Sequence, residues 1–306
     1  MKTFLVMLKR NIKMFFKDKG LFFTSMITPL ILLVLYATFL SNVYKDSFMG
    51  VLDGFGVKVE ESLMNGLVGG QLFSSLLAVS CVTVSFCSNM LMVQDKVTGA
   101  RKDFLMGPLK KSTLALSYYT ASAFSTLIIC VLAMIACFVY IGIVGWYITV
   151  ADVFLIMLDV FLLVMFGTAL SSVINFFLSS QGHISAVGSI VSSCYGFICG
   201  AYMPLASFGD WLRNIVMFLP GTYGTSMLRN HTLNGVFEEM TSQLTKTHPE
   251  PMVDALIEGL RDSIDCNLYF FDTQVEIGTM YLIVSLSILA LVAIYVILNV
   301  LRKKKD

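Results

Sequence analysis

Charged residues are scarce in this sequence. Asp, Glu, Lys and Arg together make up 13% of its 306 residues, whereas they supply about a quarter of a typical soluble domain. Apolar residues reach 57%, and the mean hydropathy is +0.80. Because a soluble globule does not carry so much apolar surface, the composition predicts an integral membrane protein.

The short motifs that carry catalysis or cofactor binding are also missing. The sequence has no GxxxxGK[ST] phosphate loop, no HExxH or GxSxG pattern and no glycine-rich dinucleotide fingerprint. Its three histidines lie far apart, and its seven cysteines include no CxxC pair, so neither a metal site nor a disulfide framework is predicted. We therefore expect no enzymatic site and no cofactor in this chain.

Long apolar runs, by contrast, are abundant. A helix of roughly 20 apolar residues crosses the hydrocarbon core of a bilayer. Six runs of this kind cover residues 21–40, 69–93, 114–144, 150–178, 184–203 and 278–301. The third and fourth are separated at Gly145, Trp146 and Tyr147, since glycine permits a turn and aromatic residues favour the membrane interface. The sequence thus predicts an all-α membrane fold with six transmembrane helices and outer loops at 41–68 and 233–277.

Lysine and arginine are concentrated in three places. Residues 1–19 carry six of them, residues 95–111 carry five and residues 302–305 carry four, out of 21 in the chain. Because Lys and Arg are enriched in the cytoplasmic parts of membrane proteins, both termini and the segment 95–111 are predicted to be cytoplasmic.

The N-terminal residues 1–19 are amphipathic. Phe4, Leu8, Ile12 and Phe15 recur at helical spacing, while the lysines occupy the rest of the helical wheel. This pattern is typical of a helix that lies on the membrane surface.

Asp159 is the one carboxylate placed inside an apolar run. Because a charge at membrane depth is costly, such a residue is a functional candidate by default. It either lines a translocation pathway or pairs with a neighbour inside the helix bundle. An ion-coupled secondary transporter that uses Asp159 is the alternative function, and an intramembrane enzyme is a further one, although no second catalytic group accompanies this carboxylate.

A polar segment, VQDKVTGARKDFLMGPLKKS at residues 93–112, interrupts the apolar runs. Charged side chains surround the apolar pair Phe104 and Leu105, and a Gly-Pro pair follows at residues 107–108. This order predicts a short amphipathic helix that ends at the Gly-Pro pair and presents side chains to a partner.

In this segment the chain resembles the permease subunits of ABC type-2 exporters, whose second and third spans are joined by a loop with an acid-base pair, a Gly-Thr pair, an apolar pair and a proline. The matching positions are Asp95, Lys96, Gly99, Leu105 and Pro108. Ala100 stands where the family usually has threonine, and Arg101 where leucine is frequent. A second match follows the fifth run, in an outer-turn motif formed by Pro204, Trp211, Leu212, Arg213, Pro220, Tyr223 and Arg229. A proline that the family often has just before the tryptophan is absent.

The resemblance implies a permease without its own ATPase site, which pairs with a second permease copy or a homologous permease. It would bind two copies of a separate ABC ATPase, which hold ATP and Mg²⁺. The helix at residues 95–108 would be the coupling helix that docks on the ATPase. Its coupling residues would be Asp95, Lys96, Gly99, Arg101, Phe104, Leu105 and Pro108.

The remaining expectations also follow from the resemblance. The chain would reside in the inner, cytoplasmic, membrane of the cell and would have no nucleic-acid partner. It would export a hydrophobic or amphipathic compound such as a drug, an antimicrobial peptide or a lipid-like molecule. The 18 methionines and 24 phenylalanines favour such cargo, since they provide adaptable apolar walls.

Overall fold

The computed structural model describes residues 2–107, 109–271 and 273–301, and this part of the chain is almost entirely α-helical. Its first helices are α1 (Lys2–Lys17), α2 (Lys19–Leu35), α3 (Ser41–Gly54), α4 (Glu61–Ser88), α5 (Met90–Val97), α6 (Ala100–Met106) and α7 (Lys111–Val144). They are followed by α8 (Val150–Phe177), α9 (Gln181–Ile198), α10 (Asp210–Val216), α11 (Pro220–Leu244), α12 (Glu250–Ser263) and α13 (Ile277–Leu301). A π-helical turn, Tyr36–Leu40, joins α2 to α3, and a 3-10 turn, Leu205–Ser207, precedes α10. Strands β1 (Tyr269–Phe270) and β2 (Thr273–Gln274) form a small antiparallel hairpin, with Tyr269 opposite Gln274.

Five helical segments of the described chain are long and apolar enough to cross a membrane. They are Lys19–Gly54, Glu61–Val97, Lys111–Val144, Val150–Phe177 and Ile277–Leu301. These five overlap with five of the six predicted spans, and the prediction of an all-α membrane fold is confirmed.

The sixth predicted span, residues 184–203, coincides with α9, which is 18 residues long and is not among those five segments. This helix stops early because Gly200 adopts a left-handed conformation, with φ of 72°, which ends helices and which glycine adopts without a steric penalty. A bilayer crossing by α9, and so the count of six spans, stays a prediction.

The third and fourth apolar runs correspond to two separate helices, with residues 145–149 between them. Helix α7 ends at Val144, and α8 begins at Val150. Thr149 caps α8: its hydroxyl accepts a hydrogen bond from the amide of Asp152, whose carboxylate in turn accepts one from the Thr149 amide. Such a reciprocal capping box satisfies amide donors that would otherwise lack partners.

Helix α4 forms the centre of the bundle. Nearly all of its residues from Leu63 to Ser88 are buried, and it packs against α2, α7, α8, α9 and α11. Small residues allow this close packing. A Cβ added at Gly167 of α8 would lie 2.9 Å from the Cα of Val82, and one added at Gly70 would overlap the side chain of Leu233. Close backbone approach at small residues is a general means of packing helices in membranes.

The region predicted as an outer loop, residues 233–277, is more ordered than expected. Its first residues continue α11, a 25-residue helix that is buried over most of its length and packs against α4, α8 and α13. The sequence did not indicate this helix because its polar side chains lower its hydropathy. Arg229 and His231 find their partners in distant segments, whereas Thr225 and Thr232 bond to carbonyl groups within α11. Helix α12 (Glu250–Ser263) lies within the same predicted loop, and its Val253, Leu256, Ile257 and Leu260 side chains are buried.

The residues predicted to form an N-terminal amphipathic helix are helical in α1, which packs mainly against α7. The location of α1 on the membrane surface stays a prediction. Met7, Asn11 and Phe15 form its buried side. The predicted apolar face is therefore rotated: Phe15 belongs to the buried side, whereas Phe4, Leu8 and Ile12 are only half-buried. The basic residues 302–305 lie outside the described part of the chain.

Candidate functional site

Helices α5 and α6 together form what we call the α5–α6 segment, residues 90–106. Gly99 separates them with a left-handed φ of 84°, a conformation that favours glycine. This break means that α5 and α6 present different sides to the bundle. Pro108, predicted to belong to this site, lies outside the described residues.

Asp95 does not face solvent, because its exposure is only 4%. Its carboxylate accepts hydrogen bonds from both terminal nitrogens of Arg10, one of them at 2.8 Å. The hydroxyl of Tyr118 in α7 donates a further bond of 2.6 Å to the Oδ2 atom. Hydrogen bonding to Asp95 raises the pKa of Arg10 above its ordinary value, although burial opposes this shift. The cluster joins α1, α5 and α7.

Lys96 points towards the carboxyl end of α8. Its Nζ atom donates to the carbonyl oxygens of Phe176, at 2.5 Å, and Leu178, at 2.6 Å. The last carbonyl groups of a helix have no partner within the helix, and they carry a partial negative charge that a cation stabilises. Lys96 thus fastens the α5–α6 segment to α8.

Arg101 fastens the same segment to the end of α13. Its Nη2 atom donates a 2.9 Å hydrogen bond to the Oδ1 atom of Asn299. The side-chain amide of Asn299 donates in turn to the carbonyl oxygen of Tyr295, at 2.8 Å. Asp95, Lys96 and Arg101, which were expected to contact the ATPase subunit, therefore bond to groups within the chain itself.

Phe104 and Leu105 are half-buried and pack against a hydrophobic cluster that includes Met7 and Tyr118. The guanidinium of Arg10 lies over the ring of Phe104, 4.9 Å from its centre. The apolar side chains that point outwards are different ones.

Val97 and Met106 are exposed by 47% and 84%, respectively, and Lys102 and Asp103 of the same segment are also exposed. We call these four residues the outward face of the α5–α6 segment. This face could not be found from the sequence, because the segment was expected to form one continuous helix. The turn at Gly99 separates α5 from α6, so the exposed side of α6 does not continue the exposed side of α5.

Asp159 is fully buried and forms a second polar cluster. Its Oδ2 atom lies 2.6 Å from the Nδ1 atom of His231 in α11, and its Oδ1 atom accepts a 2.6 Å hydrogen bond from the hydroxyl of Tyr281 in α13. Asp159 therefore ties α8 to two other helices. Of the two situations expected for this residue, pairing with neighbours is what the structure shows. His231 and Tyr281 could not be found from sequence because neither lies near Asp159 along the chain.

The predicted outer-turn motif contains a third polar cluster, built on Arg229. This residue is 1% exposed and donates hydrogen bonds to the Oδ2 atom of Asp265, at 3.1 Å, and to the carbonyl oxygen of Gly200. Both carboxylate oxygens of Asp265 also accept from the amide of Leu205. Each member of the ion pair thus also bonds to the backbone: Arg229 to the carbonyl group of Gly200, and Asp265 to the amide of Leu205.

The other residues of the motif have distinct surroundings. Pro204 directly precedes the 3-10 turn, and Pro220 starts α11, where proline has the φ angle that a first helical turn requires. Tyr223 is buried and donates a 2.6 Å hydrogen bond to the carbonyl oxygen of Met217. Trp211, in contrast, is 76% exposed.

A cavity of about 760 Å³ lies between α2, α3, α9 and the turn that follows α9. Five aromatic side chains form much of its wall, namely Tyr36, Phe39, Tyr44, Phe197 and Tyr202. Its polar lining consists mainly of hydroxyl groups, such as those of Ser47 and Ser192. No Asp, Glu, Lys, Arg or His is among the described residues that line it, and Asp159 therefore lies elsewhere in the bundle.

The geometry described above can be set beside known families. The sequence profile of the ABC-2 type transporter family matches residues 2–232. This range includes helices α1 to α10, the first half of α11 and the three polar clusters except for Asp265 and Tyr281. No curated protein matches the chain. The chain belongs to the ABC-2 type transporter family and is the membrane permease of an ABC transporter.

Proposed function

We propose that this permease exports a hydrophobic or amphipathic, uncharged compound, driven by a separate ABC ATPase subunit that binds ATP and Mg²⁺. Two ATPase copies would serve a pair of permeases, either two copies of this chain or one copy and a homologue. The chain would cross the cell membrane six times with both termini in the cytoplasm. Helix α1 would lie along the inner membrane surface.

The observation that carries this proposal is the arrangement of the α5–α6 segment. Asp95, Lys96 and Arg101 tie it to α1, α7, α8 and α13, while its outward face is exposed. A segment that is fixed to several long helices and still presents free apolar side chains suits a coupling helix. A movement imposed on the outward face would be passed to the ends of these helices.

The outward face also has the composition of a small protein contact. Met106 would be the apolar anchor, since exposed side chains that fill a partner's pocket contribute most of the binding energy in such contacts. Lys102 and Asp103 would add charge pairing at the rim, which orients a partner more than it strengthens binding. This assignment replaces Phe104 and Leu105, which pack inwards.

The lining of the cavity favours the proposal that the exported compound is uncharged. Moving a charge from water into an apolar site without a partner is strongly unfavourable, and no charged side chain lines this cavity. Its volume lies in the range of sites that hold drug-sized molecules. Aromatic walls and a few hydroxyl groups suit a ligand that is mainly apolar with some neutral polar groups.

Purification of the tagged chain from native membranes, with assay of ATP hydrolysis in the eluate, tests the proposal. We expect an ATPase to accompany the chain, and Met106→Asp to reduce its recovery by at least about tenfold, because loss of one anchor residue of this kind typically has an effect of that order. Met49→Asp is the matched control, since Met49 is also an exposed methionine, 43% exposed, but lies on α3. Equal ATPase recovery with Met106→Asp and Met49→Asp would contradict the docking role of the outward face.

A further inference from the structure

Side chains hold helix α1 against the α5–α6 segment. Arg10 and Asp95 are 85 positions apart, and their two parallel hydrogen bonds form the planar fork that Arg and a carboxylate favour. The same guanidinium covers the ring of Phe104 in α6, so Arg10 contacts both helices of the segment. A displacement of the segment would therefore act directly on Arg10.

Helix α1 is joined almost rigidly to α2. Asp18 is the only residue between them, and its carboxylate caps α2 by accepting from the amide of Leu21, at 3.1 Å. Aromatic packing stiffens the junction: the rings of Phe16 and Phe22 lie 5.8 Å apart, one on each side of it. A tilt of α1 would thus be transmitted to α2 rather than absorbed by a flexible linker.

Helix α2 leads to the cavity. Thr28, Ile31, Leu32 and Leu35 of α2 line it, and the π-helical turn after α2 adds Tyr36 and Phe39. A continuous series of packed elements therefore runs from the outward face of the α5–α6 segment, through Arg10, to one wall of the cavity.

We propose that Arg10 and Asp95 are a pair of positioning residues that transmits movement of the α5–α6 segment through α1 to the cavity wall on α2. The inference rests on the proposed function, because the movement originates in the ATPase. Tyr118 orients the carboxylate of Asp95 from α7, which keeps the carboxylate aimed at Arg10. The pair would be required for coupling, while ATPase binding through the outward face would not depend on it.

The test uses the purified complex with an environment-sensitive fluorophore on Phe39→Cys, a cavity position that is 65% exposed, in a Cys194→Ser background. Cys194 is the one exposed cysteine among the described residues. The measured quantity is the change in emission when ATP is added. Arg10→Asp and Asp95→Arg should each reduce this change at least about threefold, since residues along a coupling route alter coupling by amounts of that order.

The double variant with both substitutions should restore the response, because the pair is then re-formed with its charges exchanged. Arg10→Lys, which keeps the charge but loses the fork, should give an intermediate response. Lys13→Asp is the control, since Lys13 is an exposed residue of the same helix. Its change in emission on addition of ATP should equal that of the protein with Arg10 and Asp95 unaltered. The restored response of the double variant also shows that loss in the single variants does not come from misfolding.

The inference is overturned if the emission change persists in the single variants, or if the double variant fails to restore it while still eluting as a folded complex. An ATPase that stays bound while all variants respond equally would overturn this inference and leave the proposed function intact. Absence of any co-purifying ATPase would overturn both.

Discussion

Two arginine-aspartate pairs, Arg10 with Asp95 and Arg229 with Asp265, use the same chemistry in different surroundings. The Arg229 side chain is 1% exposed and that of Arg10 is 28% exposed. Arg229 and Asp265 also bond to backbone groups of Gly200 and Leu205, whereas the neighbours of Arg10 and Asp95 are side chains.

Backbone partners cannot reorient without local unfolding, so the Arg229 pair is a clamp that holds the turn after α9 against α11. Side-chain partners follow the helices that carry them, so the Arg10 pair can stay formed while those helices move. The groups bonded to each pair, backbone for Arg229 with Asp265 and side chains for Arg10 with Asp95, therefore distinguish a fixed junction from a movable one in this protein.

The largest expected effect is on the clamp. Replacing Arg229 with alanine leaves the buried carboxylate of Asp265 without its cation, which we expect to reduce the free energy of unfolding by roughly 3–5 kcal/mol. Thermal unfolding in detergent would measure the loss. Arg213→Ala is the matched control, since its pair with Asp210 is exposed and such pairs contribute about 0–1 kcal/mol. Similar losses for Arg229→Ala and Arg213→Ala would remove the distinction between a clamp and a surface pair.

A smaller effect is expected at Asp159, which resembles the clamp in being buried but has only side-chain partners. Asp159→Ala leaves His231 and Tyr281 without their acceptor and should lower the unfolding free energy by about 1–3 kcal/mol. Asp159→Asn can keep an acceptor oxygen and should lose less. A variant with unchanged stability but an altered dependence of ATP hydrolysis on added hydrophobic compounds would instead support a role in the translocation pathway.

A substitution at Lys96 tests how strongly the α5–α6 segment is held to the end of α8. Lys96→Met removes the cation at the end of α8 and should lower stability by about 0.3–1 kcal/mol, with a larger loss at low salt. Lys110→Met is the control because Lys110 is exposed. If salt changes the stability of Lys96→Met and of the unaltered chain in the same way, the capping interaction is not electrostatic.

An effect on chemical reactivity rather than on stability is expected at Cys266, whose carbonyl oxygen accepts hydrogen bonds from Ser226 and Asn230 beside the clamp. Burial raises the pKa of the Cys266 thiol to about 12, so the reactive thiolate forms only as the pH approaches that value. Compared with an exposed cysteine such as Ser242→Cys, its labelling by maleimide at pH 7.5 should be on the order of a thousandfold slower. Comparable labelling rates at both positions would show that the region around the clamp opens.

Much of the helical framework could be predicted because long apolar runs reflect a single physical requirement, the length of the bilayer core. Helix α11 was missed for the opposite reason: its polar residues find partners in distant segments, and hydropathy does not record that. Within the site, Asp95 and Lys96 were identified, but their partners were not. Spacing along one segment indicates which side chains lie together on a helix, and it carries no information about Arg10 or the end of α8.

The most direct test of the central claim, that the outward face of the α5–α6 segment contacts the ATPase, is protection of a cysteine at position 106. Met106→Cys would be labelled with a hydrophilic maleimide in the isolated permease and in the complex with its ATPase. We expect rapid labelling in the isolated permease and labelling at least about tenfold slower in the complex, since residues at the centre of a contact are shielded from water. Equal labelling rates in the two samples would contradict it.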